Sequence, residues 1–295
     1  MDLKNKLTPE NLFFTFHEPP EAKYATNKPP IIFIHGILST PYCWNKVKNK
    51  ICVKTGRKAY AICLRNHGTS GWSEEFSVNH IVTDLKNFMM KENISKAILV
   101  SHSLGARAAI TLALEEPEMV EKLIVEDMIL TFDEDQSQAA RKFISILKMA
   151  ASSLKQYPPS MSEAVAQKRL QQLFCLSWSK KPNEKTNSRP ITPILPFHKE
   201  KSGKFVWDVN VDALAGGLED ISSKFKIRLS DYLVYPGEAI FIGAEYSKFD
   251  VVNDKQVILK HFPNSKFSVA KGVYHSYHME KPDEYAEEVA EFIGA

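Results

Sequence analysis

The stretch Ala97-Ile98-Leu99-Val100-Ser101-His102-Ser103-Leu104-Gly105-Ala106-Arg107-Ala108-Ala109 decides the fold. Four apolar residues lead into a Ser-x-Ser-x-Gly turn, and a run rich in alanine and leucine follows directly. The first run reads as a buried strand and the second as a helix, so Ser103 stands on a tight strand-to-helix turn. Such a turn needs small residues two before and two after the serine, and it lifts the hydroxyl clear of the backbone. Ser101 takes the first place, where glycine is usual, and Gly105 the second. A serine is an unreactive alcohol until a base removes its proton. Ser103 is therefore the candidate nucleophile, with the positive end of the next helix beneath a developing oxyanion. An idle serine on the same turn is the competing reading, and the strand and helix flanking Ser103 disfavour it.

Outward from this turn, short apolar runs recur at residues 31–34, 59–64 and 123–125, each bounded by turn residues. They read as strands buried on both faces. Ser77 is a candidate N-cap for a helix over 78–90, with Ile81, Leu85, Phe88 and Met89 on one face. Strands alternating with helices imply an α/β fold with a parallel sheet and right-handed crossovers. After Asp127 the rhythm changes. Residues 136–154 and 161–176 are helical in period, 179–201 read as a long polar loop, 205–209 as a short strand and 211–225 as a helix. The alternation returns at 239–242, 254–261 and 267–270, closing with a helix over 283–293. The expected organisation is a discontinuous core over 1–130 and 236–295, interrupted by a mainly helical cap over 131–235.

The chain has 295 residues, 44% of them apolar and 25% charged, a composition that can bury a sizeable core without staples. The formal net charge of +3 comes from scattered basic residues, which gives no support to nucleic acid as a partner. Cys43, Cys52, Cys63 and Cys175 form no metal-like spacing and read as ordinary thiols. No apolar run approaches the ~18 residues of a membrane span. Residues 1–16 lack the pattern of a secretory signal, so a cytoplasmic location is expected.

Two further stretches complete the chemistry. His35-Gly36-Ile37-Leu38 follows the strand at 31–34, a place that can supply one backbone N–H to an oxyanion hole. The amides of Ile37 and Leu104 are the expected donors, with His35 structural. Late in the chain, Gly272-Val273-Tyr274-His275-Ser276-Tyr277-His278 offers two histidines after the last strand. His275 is the expected base and His278 a packing or surface residue. Zinc binding by this pair lacks a third ligand and the helical H-E-x-x-H frame. The carboxylate that orients the base is open among Asp127, Asp212, Glu126, Glu245 and Asp250, and Ser247 stands about where an acid is often found.

These residues resemble a family. Thr55-Gly56-Arg57-Lys58, Arg65-Asn66-His67-Gly68-Thr69-Ser70, residues 117–127, Gly203-Lys204-Phe205-Val206-Trp207-Asp208-Val209-Asn210-Val211-Asp212-Ala213-Leu214 and residues 275–282 are similar to the α/β-hydrolase domain-containing protein eleven subfamily and its bacterial esterase relatives. The resemblance implies the α/β-hydrolase fold and a serine hydrolase of carboxylic or acyl-lipid esters that needs no cofactor or metal. It also implies Asp127 as the acid, Asp212 as second choice, and Ser247 as a supporting hydroxyl. Mitochondria enter as an alternative location on the same ground. Ser101, Ala106, Cys63 and Tyr274 depart from the pattern, and Ser101 and Tyr274 are expected to add bulk near the site. Apolar residues of the insertion, Phe143, Ile144, Ile146, Leu147, Leu170, Leu173 and Phe174, are expected to form an acyl pocket or to pack on one another. Two rivals share the same residues: a ligand- or hormone-binding receptor with a vestigial triad, and a cofactor-free haloperoxidase or lyase.

Overall fold

Residue alternation along the strands assigns each apolar side chain to one of two cores. In the computed structural model, which describes residues 11–20, 28–131, 134–174, 194–224 and 233–294, the strands of one sheet are β1 (Phe14–His17), β3 (Ala59–Ile62), β2 (Ile31–Ile34), β4 (Ala97–His102), β5 (Val120–Glu126), β8 (Glu238–Ala244) and β9 (Ser265–Ala270), in that spatial order. Ile31, Phe33, Ile98 and Val100 face one side, against Trp44, Val47, Tyr285 and Val289. The intervening Ile32, Ile34 and Leu99 face the other, against Ile81, Leu85 and Leu112. Every residue of β2 and β4 is buried. Each such Ile, Leu, Val or Phe stabilises the fold by roughly 1.5–3 kcal/mol relative to exposure.

The helices fill the two faces. On the first lie α1 (Asn45–Thr55) and α9 (Pro282–Ile293); on the second, α2 (Val78–Lys91) and α3 (Leu104–Glu115). The Ser77 hydroxyl caps α2 as expected, accepting the His80 N–H at 3.2 Å, worth about 1 kcal/mol. Strands β2 to β5, β8 and β9 pair in parallel. The edge strand β1 differs: it pairs antiparallel with β3 and was not legible in the sequence. Its four residues include only half-buried and exposed positions, so they carry no continuous apolar run.

Between β5 and β8 the chain builds α4 (Glu134–Lys155), α5 (Glu163–Phe174), β6 (Phe197–Lys199), β7 (Phe205–Trp207) and α6 (Val211–Lys224). The loop expected over 179–201 is corrected at its end. Residues 197–199 form β6 and pair antiparallel with β7, because Phe197 stacks edge-on against Phe205 and Trp207. The remainder of that loop, and Cys175, lie outside the described residues. Asp254, just before α7 (Lys255–His261), anchors the start of the insertion: its carboxylate accepts the amides of Leu130 at 2.5 Å and Thr131 at 3.2 Å. Among the described residues no helix is long and apolar enough to cross a membrane, and Cys43, Cys52 and Cys63 are free thiols.

One buried ion pair ties the loop after β3 to α2. Arg65 and Asp84 form a fork, Nε to Oδ2 at 2.5 Å and Nη2 to Oδ1 at 2.6 Å, and Nη1 donates to the Glu75 carbonyl at 3.2 Å. Removing one partner strands the other charge in the interior, a loss of about 3–5 kcal/mol. The D84A variant is expected to lose at least about 3 kcal/mol of unfolding free energy in urea titration; a loss within ~0.5 kcal/mol, the usual size at an indifferent surface site, would contradict this burial.

Candidate active site

The turn at the end of β4 is held in a strained conformation. Ser103 has φ 52° and ψ −118°, a region that side-chain-bearing residues occupy only where the surroundings enforce it. Two contacts enforce it here. Ser103 donates its N–H to the Glu126 carbonyl at 3.2 Å, and its own carbonyl accepts from Arg107 at 3.2 Å. Gly105 must be glycine: a Cβ there would lie 2.5 Å from the His35 carbonyl oxygen and 2.6 Å from that of Ile34. At the other small-residue position the demand is weaker. Ser101 turns its hydroxyl sideways to the Ile124 carbonyl of β5 at 2.8 Å, so its polar atom is satisfied by the neighbouring strand. Tyr274 is likewise buried, its ring 5.1 Å from that of Tyr246.

The loop after β9 carries His275 to Ser103. Ser103 Oγ lies 3.0 Å from His275 Nε2, and His275 Nδ1 lies 2.6 Å from Asp127 Oδ2. The ionised carboxylate accepts, which places the proton on Nδ1 and leaves Nε2 to accept from the serine. Asp127 follows β5 and has φ 50°. Its carboxylate also accepts the Ser247 hydroxyl and the Ala244 N–H, the latter at 3.2 Å. All four side chains are buried. Burial pushes the His275 imidazole down to about 4; the Glu126 charge opposes that fall and His278 adds to it. At neutral pH the ring is therefore unprotonated.

The other carboxylates are engaged elsewhere. Glu126 binds His278, Glu245 accepts the Gly272 N–H at 2.7 Å, Asp250 accepts the Asn253 N–H at 3.1 Å, and Asp212 sits in the first turn of α6. Gly36 brings the loop after β2 against the nucleophile, since a Cβ there would lie 3.1 Å from Ser103 Cβ. Leu104 opens α3, where the first amides have no partner within the helix. The Ile37 amide makes no hydrogen bond among the described residues. Both amides are therefore open, that of Leu104 next to Ser103 in the chain and that of Ile37 next to Gly36.

Insertion residues divide. Ile144, Leu147, Leu170 and Phe174 are buried in the core shared with the sheet, so they serve packing. Phe143, Ile146 and Leu173 are only partly buried, as are Ile37 and Phe249. The Phe249 ring centroid lies 5.2 Å from that of His275, a neighbour that no sequence pattern had marked.

Behind the triad lies a second buried pair. His278 donates its N–H (3.1 Å) and its Nδ1–H (2.8–2.9 Å) to Glu126, and its ring stacks on Trp44 at 4.1 Å. Burial alone would lower the His278 pKa, but the Glu126 charge and the thiol of Cys43 outweigh it and raise it to about 10. His102 donates from Nε2 to the His275 carbonyl at 2.7 Å. His102, Glu126 and His278 bring potential ligand atoms within 4.8 Å of one another; His102 and Glu126 are paired on the adjacent strands β4 and β5, far from His278 in the chain, so spacing does not show the group. His278 already supplies the cation there, and both Glu126 oxygens accept its proton, so the cluster reads as an ion pair.

Comparisons agree with this architecture. The alpha/beta hydrolase family model matches residues 31–288. The chain is similar to the proteins named sn-1-specific diacylglycerol lipase ABHD11 of Danio rerio, 24% identical over 90% of this chain and 78% of the relative, and of Mus musculus, 26% identical over 90% and 81%. A solved structure described as a marine microorganism esterase superposes with a TM-score of 0.73 at 23% identity, covering 96% of this chain and 99% of its own.

The Glu126–His278 pair makes a stability prediction. A raised histidine pKa contributes stability in full below its unfolded value near 6.5 and loses it as pH rises toward 10. The stability advantage of the native chain over an E126Q/H278Q double variant, which has neither charge, should shrink from pH 6.5 to 9.5 in urea titrations. An advantage independent of pH would contradict the charged pair.

Proposed function

The chain belongs to the alpha/beta hydrolase family, and on that premise we propose that it hydrolyses carboxylic esters through an acyl-enzyme on Ser103. The observation that carries the reading is the unbroken line Ser103 Oγ, His275 Nε2, His275 Nδ1, Asp127 Oδ2. His275 takes the Ser103 proton as Oγ attacks the ester carbonyl. Negative charge on the carbonyl oxygen is met by the amides of Ile37 and Leu104. The imidazolium, stabilised by Asp127, returns its proton to the departing alcohol. Water then attacks the acyl-enzyme with His275 again as base, releasing the carboxylic acid and restoring Ser103. Ser247 holds the Asp127 carboxylate in place.

Residues 131–235 act as the cap in this reading, and the half-buried Phe143, Ile146, Leu173, Ile37 and Phe249 favour an apolar acyl chain. An acylglycerol is the substrate class we favour, supported by the diacylglycerol lipase names of the two relatives. Neither these relatives nor the esterase neighbour is named as a receptor.

Labelling of Ser103 by a fluorophosphonate, with multiple turnover of p-nitrophenyl esters, is the expected result; labelling with no turnover would overturn the esterase reading. The D127N variant should lose about four orders of magnitude in kcat, as loss of the orienting acid does in such triads, whereas D212N should keep its activity. The reverse result would move the acid to Asp212. Because burial lowers the His275 pKa, kcat/KM should hold down to pH 6.5 and fall only in more acidic solution; an acid limb with its midpoint above 6.5 would contradict that environment.

A further inference from the structure

We propose that His67 is a positioning residue that couples the seating of the insertion to the oxyanion hole. This rests on the esterase reading for its readout but on separate observations for its geometry.

His67 lies in the loop after β3 and is fully buried. Its Nε2 lies 3.2 Å from the Leu38 amide, and its Nδ1 lies 2.9 Å from the Arg65 carbonyl. Leu38 can only donate, so Nε2 must be the bare nitrogen, and the proton sits on Nδ1 facing Arg65. Burial pushes the ring down to about 4, which keeps that acceptor available at neutral pH.

The position of Leu38 gives this bond its meaning. Leu38 follows the proposed donor Ile37 and has φ 55°, a left-handed conformation that a leucine does not adopt unaided. With its N–H committed to His67, Leu38 is withdrawn from the oxyanion hole and Ile37 is left as the open amide of that loop. His35, edge-on to His67 at 5.1 Å, accepts the Leu64 N–H at 3.1 Å and ties the same two loops together.

On its other side the His67 loop is grasped by the insertion. His67 and Val209 form an antiparallel bridge, Gly68 donates to the Asp208 carbonyl at 2.7 Å, and Asn210 donates to the Asn66 carbonyl at 2.9 Å. The Asn210 side chain adds bonds to Asn66 Oδ1 at 3.3 Å and to the Ser73 carbonyl at 3.2 Å. A continuous path therefore runs from residues 208–210, which leave β7, through Asn66–Gly68 to Leu38 and the amide beside it. A substrate that seats or lifts the insertion shifts the donor that its own transition state needs.

The test compares H67A, H67Q and N210A with the native chain on three readouts. These are kcat and KM for a p-nitrophenyl ester, the inhibition constant of a trifluoromethyl ketone that forms a hemiketal with Ser103, and the rate of fluorophosphonate labelling. H67A should lose roughly 10- to 100-fold in kcat, the scale of a misplaced oxyanion donor, with KM within about twofold. Its ketone inhibition should weaken and its labelling slow by a similar factor. H67Q, whose side-chain oxygen can accept the Leu38 N–H, should recover part of the loss, and N210A should shift all three readouts the same way. A folded H67A with native kcat and native ketone affinity would overturn the proposal, as would a change confined to melting temperature. If H67A does not fold, H67Q and N210A decide it: native values in both would overturn it. If the native chain labels but turns over no ester, the esterase reading fails alone, and the labelling rates still decide the role of His67.

Discussion

The backbone turn at Ser103 is the constraint from which the rest of the site follows. A side-chain-bearing residue at φ 52° is unfavourable by about 1–3 kcal/mol, and the neighbours hold it there. Strand β4 is buried on both faces, α3 starts at once, and Gly105 lets the helix come down onto the ends of the loop after β2. That close approach brings the loop carrying Ile37 against the turn of Ser103 and Leu104. One steric arrangement thus sets the loop of the proposed oxyanion donor against Ser103, and Gly36 and Gly105 are the residues that permit it.

The proposed acid comes from an unusual place for a sequence reader. It follows β5, the strand beside the one that leads to Ser103, and not β8; the Ala244 amide of β8 and the Ser247 hydroxyl just beyond it bind its carboxylate. Consecutive residues at the end of β5 divide two tasks. Glu126 holds His278 and so fixes the start of α8 (Tyr277–Glu280), while Asp127 turns the opposite way, at φ 50°, and meets His275. Two carboxylates therefore clamp one histidine loop at positions three residues apart. His278, against Glu126, is a buried imidazolium, whereas burial and the nearby His278 keep His275 a neutral imidazole. Differing surroundings separate two histidines of the same loop into opposite charge states, which is how such sites assign acid and base roles.

Much of this was legible in the sequence. Ala97 to Gly105 shows strand, turn and helix because the apolar run and the small residues are local properties. His275 stands out by its place after the last strand. Residues that matter through long-range contacts were less visible. Five carboxylates could have served as the acid, and only the resemblance, not spacing, singled out Asp127. The Ser101 hydroxyl is satisfied by a carbonyl on the adjacent strand, a contact no local pattern reports. Strand β1 and β6 were missed for a related reason: short, half-buried edges take their structure from a partner distant in the chain. His278 looked like packing and is packed, yet its charge depends on Glu126, 152 residues away.

Trapping the covalent intermediate tests the central claim most directly. Native protein mixed with an excess of a p-nitrophenyl ester and quenched in acid within milliseconds should carry one acyl group, located by peptide mass on Ser103, alongside a burst of one equivalent of p-nitrophenol. An S103A variant that releases p-nitrophenol at the native rate, or native turnover with the acyl group on a residue other than Ser103, would contradict the account.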